Sequence, residues 1–375
     1  MSAAEGVRDA EKVANLRMEL CFILLKNGSK EVVLVSNTIK VGRAKEIIRS
    51  LIRKNLKHPV LLLGAPGIGK TSILRALAEE EFGSSKDWPE GNYLNVELST
   101  REVPDIQGFP LVKPSGEVVW ISLIDFPTEG KGIINFDEIN LPKDQGVIRA
   151  CYRWIHERQV GKRKLGEGWF IFATGNRVTD KCFVNTLPAA LNNRFTIYEV
   201  ECGLDDWKNW AFKAGIAADV IGFLNWKPEA LFKFDPERYA PEDPFPTPRS
   251  WEKVSDKIKA GLTDFDIIAG DIGEGMASEF CEYIHVKDSL PDIDEILEGK
   301  NVVPDRPDLL HVVCSSMVVK TKEKQEYADR LVEYATMLPA EFAVLLVKDA
   351  IRAEIPVQKT KQFKKFASKY KDVIL

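Results

Sequence analysis

The chain has 375 residues, 45% of them hydrophobic and 29% charged, with 25 Gly and 20 Pro. This composition excludes collagen-like, disordered and membrane-embedded classes, and the length exceeds what one hydrophobic core usually fills. A formal net charge of -4 leaves no global footprint for nucleic acid, so only a local patch could bind it.

The six cysteines (Cys21, Cys151, Cys182, Cys202, Cys281 and Cys314) form no CxxC pair, and the four histidines show no ligand spacing beside them. Reduced thiols and no zinc site are expected. The first seventeen residues contain no apolar core of a signal peptide, and the run Leu20 to Leu25 is too short to cross a bilayer. The expectation is a cytoplasmic protein with no membrane partner.

Residues 1–40 read as an N-terminal β-ribbon and helical extension, in which two apolar, β-rich runs are joined by Asn27-Gly28, a hairpin signal. The spacing of Ile47, Ile48, Leu51 and Ile52 predicts a helix over about 43–54, broken by His58-Pro59. The apolar run Val60 to Leu63 then suits a strand buried on both faces. Similar runs recur at 93–98, 132–136, 169–173 and 196–200, with helical or hairpin patterns between them. Strands alternating with helices predict an α/β fold with a parallel sheet flanked by helices. Beyond about residue 203 helical periodicity takes over, with the Pro-rich passage 236–248 as a long loop. The predicted division is an α/β core at 41–202 and an all-helical lid with a C-terminal helical extension at 203–375.

Gly64-Ala65-Pro66-Gly67-Ile68-Gly69-Lys70-Thr71 matches GxxxxGK[ST] directly after the strand Val60 to Leu63 and before a helix, the context a P-loop requires. Its backbone N–H groups and the helix N-terminus suit the phosphates of ATP, Lys70 the β and γ oxygens, and the Thr71 hydroxyl Mg²⁺, with Ser72 next in the binding segment. A P-loop also needs a carboxylate at the end of a neighbouring buried strand. Ile133-Ile134-Asn135-Phe136-Asp137-Glu138 supplies it, with Asp137 for Mg²⁺ and Glu138 placed to polarise the attacking water.

Further motifs, in order, make the chain similar to an AAA+ ATPase, and within that group to the MoxR-like branch. Trp154 to Val160 resembles the helix-to-hairpin passage after Walker B, and Ile171 to Asn176 resembles the sensor 1 strand, which implies that Asn176 positions the water. Leu187 to Phe195 resembles the segment with the arginine finger, and Arg194 falls on that position, although Asn193 stands where relatives often carry an acidic residue. Arg177 is a competing candidate. Pro246 to Trp251 looks like the start of the sensor 2 helix, with Thr247 as cap, Pro248 in the first turn and Arg249 reaching the γ-phosphate. Residues 105–120 resemble the helix-2 insert, a projecting β-ribbon, and Gln159 to Gly166 the pre-sensor 1 hairpin, with Lys162, Arg163 and Lys164 at its tip. Val41-Gly42 looks like the segment that lines the adenine.

The resemblance implies ATP hydrolysis with Mg²⁺ by a ring-forming homo-oligomer, a hexamer, that remodels a protein partner in a chaperone-like way, such as a protein with a von Willebrand factor A-type domain. Two rivals stay open: a nucleic-acid motor, less favoured on charge, and an ATP-binding switch or scaffold without turnover. The basic stretch Lys359 to Lys371, interleaved with Phe363, Phe366 and Tyr370, reads as a helix whose apolar face packs on the lid, and Trp207, Trp210 and Trp226 read as lid core.

Overall fold

The inner strands of the main sheet at 60–63, 131–137 and 168–175 carry buried apolar side chains on both of their faces, and that burial is what fixes the layers. The computed structural model describes residues 38–121, 126–142, 144–161, 163–180, 185–234, 243–286 and 292–370. The predicted hairpin at Asn27-Gly28, Cys21, Cys182, Lys162 and residues 236–242 of the Pro-rich passage lie outside the described residues. The core comprises β1 (Thr38–Lys40), α1 (Val41–Arg53), β2 (Val60–Leu63), α2 (Lys70–Phe82), β3 (Tyr93–Glu97), α3 (Val103–Gln107), β4 (Phe109–Val112), β5 (Val118–Ile121), β6 (Lys131–Asp137), α4 (Gln145–Tyr152), β7 (Gln159–Val160), β8 (Arg163–Lys164), β9 (Gly168–Gly175), α5 (Ala189–Asn192) and β10 (Thr196–Glu201).

Six of these strands form one parallel sheet in the order β1-β10-β2-β9-β6-β3. On one face Val60, Leu62, Tyr93, Ile133, Phe170 and Phe172 pack against Ala44, Ile48, Leu74 and Leu77 of α1 and α2. On the other Leu61, Leu94, Ile134, Phe136 and Ile171 pack against Ile106, Val147, Ile148 and Trp154 of α3, α4 and the π-turn after α4. Burial on both faces is why the strands read as unbroken apolar runs. The expected boundary at 40/41 falls inside this sheet: Thr38 to Lys40 pair in register with Glu199 to Glu201, so the core unit starts at Thr38. A three-residue edge strand is too short to leave a period-2 signal.

Two small antiparallel ribbons leave the core where hairpins were expected, β4–β5 and β7–β8. Phe109, Leu111, Val112, Val118, Trp120 and Ile121 of the first are all exposed.

The second half is helical, as predicted: α6 (Leu204–Ala214), α7 (Ala218–Trp226), α8 (Pro248–Lys259), α9 (Phe265–Ile272), α10 (Glu274–Val286), α11 (Ile293–Leu297), α12 (Pro307–Glu323), α13 (Ala328–Ala335), α14 (Ala340–Arg352) and α15 (Phe363–Lys369). Its own core centres on Phe223, whose ring lies 5.1 Å from Phe280 and 5.5 Å from Trp251, all three fully buried. Trp207 enters this core, whereas Trp210 and Trp226 are exposed at its rim, Trp210 beside the Trp207 ring and Trp226 stacked on Tyr283. Phe366 and Tyr370 are buried in the lid core, so the apolar face of the basic C-terminal helix is spent there. Among the described residues no helix is long and apolar enough to cross a membrane, and Cys151, Cys202, Cys281 and Cys314 are free thiols.

One polar cluster sits inside the lid. Lys208 Nζ lies 2.8 Å from Asp349 Oδ1, both side chains almost fully buried, with Asn225 and Arg352 bonded to the same carboxylate. Removing one member leaves an uncompensated buried charge, so Asp349→Ala is expected to destabilise the protein by about 3–5 kcal/mol, read from denaturant unfolding of the full chain. Nearby, burial and then the Lys208 charge push His311 down to about 4 from its ordinary 6.5. The unfolded chain therefore binds a proton that the folded one refuses between those values, and stability is lost as pH falls from about 6.5 to 4. His311→Phe is expected to flatten that part of the stability profile, measured as Tm against pH.

Candidate functional site

β2 ends at Leu63 and α2 starts at Lys70, so Gly64 to Gly69 turn at the C-terminal end of the sheet and leave the first N–H groups of α2 open towards the loop. Gly67, at φ +77°, sits where only glycine is unstrained, and a Cβ there would come 2.8 Å from Thr247 Oγ1. That contact seats the lid on the loop. Thr247 caps α8 through Ser250 N, Pro248 opens the helix, and Arg249 N donates to Gly67 O at 3.3 Å. Arg249 itself is exposed beside the loop. Ser72 is exposed in the first turn of α2.

Lys70 is buried, its Nζ donating to Gly64 O (2.7 Å), Ala65 O (2.8 Å) and Asn176 Oδ1 (3.2 Å). The predicted Walker A lysine and sensor 1 asparagine thus meet directly. Asp137 closes β6 one strand further on, with Thr71 Oγ1 at 3.1 and 3.0 Å from its two carboxylate oxygens. Thr174 Oγ1, from β9, donates to the same carboxylate, and Glu138 N caps it at 3.1 Å. A hydroxyl and a carboxylate converging on one point are hard oxygen donors of the kind Mg²⁺ takes, so the residues fit the ion. Glu138 adopts φ +54°, a left-handed conformation uncommon for a non-glycine residue and concentrated at functional sites. Its carboxylate is half-buried and has no hydrogen-bond partner among the described residues.

The two competing arginines are placed at opposite ends of the sheet. Arg177 follows β9 on the loop side and is held in its own chain by Asp180, at 2.9 Å. Arg194 precedes β10, whose first residue Thr196 pairs with Val60, the first residue of β2. Strand β2 therefore separates Arg194 from its own P-loop by about 10 Å or more. Its guanidinium donates to Ala190 O at 2.6 Å and rests 5.2 Å from the Tyr152 ring, with no carboxylate partner among the described residues.

A cavity of about 410 Å³ beside the P-loop is lined by Ala65, Ile68, Val200, Leu204, Leu231 and Phe232, with Lys40, Arg177, Glu201 and Glu229 among its polar groups. Its size and apolar walls suit a nucleobase. Val41 and Gly42 do not line it: Val41 is buried at the start of α1, and Gly42 N is already bonded to Asp206 Oδ2 of the lid at 2.9 Å. Lys40, one residue earlier, does line it.

Sequence reasoning passes over four residues of this end of the sheet. Thr174, Asn95 and Asn135 share the α2 face, Asn135 Nδ2 donating to Asn95 Oδ1 at 2.9 Å and Asn95 reaching towards Asp137. Asn140, three residues past Asp137, holds the backbone of Asn176. A polar residue interrupting an apolar strand, as Asn135 does in β6, is the available signal.

No family model matches the chain. Among solved structures it is similar to a point mutant of RuvB from Thermotoga maritima (16% identity, TM-score 0.37, 78% of this chain and 87% of that one). It is also similar to a putative ATPase from Cytophaga hutchinsonii (15%, 0.32, 89% and 91%) and to NtrX from Brucella abortus in complex with ADP (14%, 0.37, 99% and 73%). The fold is of the P-loop AAA+ type. That statement rests on the sheet order, the loop between β2 and α2, the carboxylate at the end of β6 and the lid seated on the loop.

Gly67→Ala is expected to weaken binding of a fluorescent ATP analogue at least tenfold, because it strains the loop and displaces Thr247. Gly83→Ala, with φ +89° but open space around its Cβ, is the control and should leave that affinity unchanged.

Proposed function

We propose that the chain is an ATP-hydrolysing, MoxR-like AAA+ protein that works as a ring, a hexamer, and remodels a protein partner. The observation that carries this is the convergence of Lys70, Thr71, Asp137, Glu138 and Asn176 at one end of the sheet, because binding alone would not need Glu138 and Asn176. ATP sits with its phosphates on the loop N–H groups and its base in the cavity between Ile68 and the lid. Thr71 and Asp137 hold Mg²⁺, which supplies charge neutralisation at the phosphates. Lys70 leaves the loop carbonyls for the β and γ oxygens. Glu138 accepts a hydrogen bond from the attacking water and polarises it, and Asn176 orients that water. Arg249 contacts the γ-phosphate from the same chain, while Arg194, at the far end of the sheet from its own loop, serves a neighbour's ATP.

A protein partner is favoured over nucleic acid by the ribbon β4–β5. Its exposed Phe109, Leu111, Trp120 and Ile121 offer apolar surface, whereas surfaces that grip nucleic acid are basic. Arg163 and Lys164 of the shorter ribbon are exposed and basic, which is the feature a nucleic-acid motor would use. A von Willebrand factor A-type partner rests on the MoxR-like resemblance alone, and the cytoplasmic setting on the scattered cysteines of the sequence.

Steady-state ATPase against protein concentration tests the reading. Activity should rise cooperatively as the chain assembles, and Glu138→Gln should bind ATP while turning it over at least a hundredfold more slowly. A monomer with concentration-independent activity would sink the ring. Binding without turnover would leave the ATP-dependent switch in its place. Mixing separately inactive Arg194→Ala and Glu138→Gln chains should restore part of the activity, and no recovery at any ratio would remove Arg194 from its trans role.

A further inference from the structure

Asn140 is 4% exposed and spends its whole side-chain amide on one residue. Its Nδ2 donates to Asn176 O at 2.7 Å and its Oδ1 accepts from Asn176 N at 3.2 Å. A single primary amide that both donates to and accepts from the same backbone unit mimics a strand partner just past the end of β9, where the sheet no longer supplies one. Only asparagine meets both demands at this length: aspartate lacks the donor and glutamine is one methylene too long.

The surroundings are shaped to the same end. A Cβ on Gly175 would stand 2.7 Å from Asn140 Oδ1, so the glycine before Asn176 leaves the space this amide fills. Asn140 O in turn accepts from Asn185 N at 2.8 Å, and Asn185 Nδ2 donates to Pro142 O at 2.7 Å. The turn is therefore fixed on two sides. Asn176, held this way, presents its Oδ1 to Lys70 Nζ.

We infer that Asn140 is a positioning residue for hydrolysis: it fixes the backbone of Asn176 so that the Asn176 side chain faces the γ-phosphate end of the P-loop. This rests on the ATPase reading above. Asn140 is buried on the backbone of Asn176, and its effect runs through that residue.

The test is a double-mutant cycle on the full-length chain with Asn140→Asp, Asn176→Ala and both together, reading kcat, KM, fluorescent ATP-analogue affinity and Tm. Asn140→Asp is expected to lower kcat at least tenfold with KM and analogue affinity within about threefold, since only the transition-state contact of Asn176 is misplaced. In the Asn176→Ala background the same change should cost no further kcat, because the side chain being positioned is gone, while its cost in Tm stays as large as in the wild type. Gly175→Ala, which presses on Asn140 Oδ1 from the other side, should reproduce the fall in kcat and is the arbiter if Asn140→Asp does not fold. Losses that multiply in the double variant, or wild-type kcat in both Asn140→Asp and Gly175→Ala while Asn176→Ala is impaired, would overturn the inference alone. A wild-type chain that binds nucleotide without turnover would overturn the ATPase reading and this inference with it.

Discussion

The register between β6 and β9 is the constraint on which the site depends. Phe136 stands opposite Ala173, and Leu63 opposite Gly175, so Asp137 and Thr174 emerge side by side under the N-terminus of α2. Because side chains alternate between faces, a slip of one residue in β6 would turn Asp137 towards α3 and α4 and bring Phe136 to the Thr71 side. What forbids the slip is the packing of both faces. Ile133 must enter one apolar layer and Ile134 and Phe136 the other, and each is fully buried there. The chemistry at the strand ends is thus specified by residues that take no part in it.

Polar groups on the α2 face follow the same alternation. Tyr93 and Asn95 of β3, Asn135 and Asp137 of β6, and Thr174 of β9 lie on that face, running from an apolar interior to the carboxylate at the rim. Burying Asn135 costs desolvation that its bond to Asn95 only partly offsets, since Asn135 Oδ1 has no hydrogen-bond partner among the described residues. Such a residue in a buried strand is tolerated because it extends the hydrogen-bonded support of Asp137 inward.

How much of this is legible follows from which signals survive in one dimension. Strands buried on both faces leave apolar runs, and a P-loop leaves spaced glycines, so the sheet, the loop, Lys70, Thr71, Asp137 and Glu138 can be read directly. Asn176 and Arg249 need the resemblance as well, and the structure brings both to the loop, Asn176 onto Lys70 and the backbone of Arg249 onto Gly67. Contacts between a side chain and a distant backbone leave no period or motif. Asn140 grips a residue 36 positions away, and Asp206 bonds Gly42 across 164. For that reason a reading of the sequence misses the first, and it does not foresee that Lys40, and neither Val41 nor Gly42, lines the cavity beside the loop.

The choice between Arg177 and Arg194 shows what topology adds to a motif. Both precede or follow core strands, and either could be aligned with an arginine finger by eye. In a parallel sheet all strands point the same way, so an arginine before a strand and one after a strand lie at opposite ends of the molecule. Arg177 stands at the loop end, where its charge is already balanced by Asp180, which is itself buried. Arg194 stands at the other end, its guanidinium on a carbonyl and an aromatic face, and among the described residues its buried Nε has no hydrogen-bond partner. An arginine held that way is neither an ordinary surface residue nor part of a salt bridge. Its place in the sheet, just before the strand whose first residue pairs with Val60, sets it the length of β2 away from the loop of its own chain.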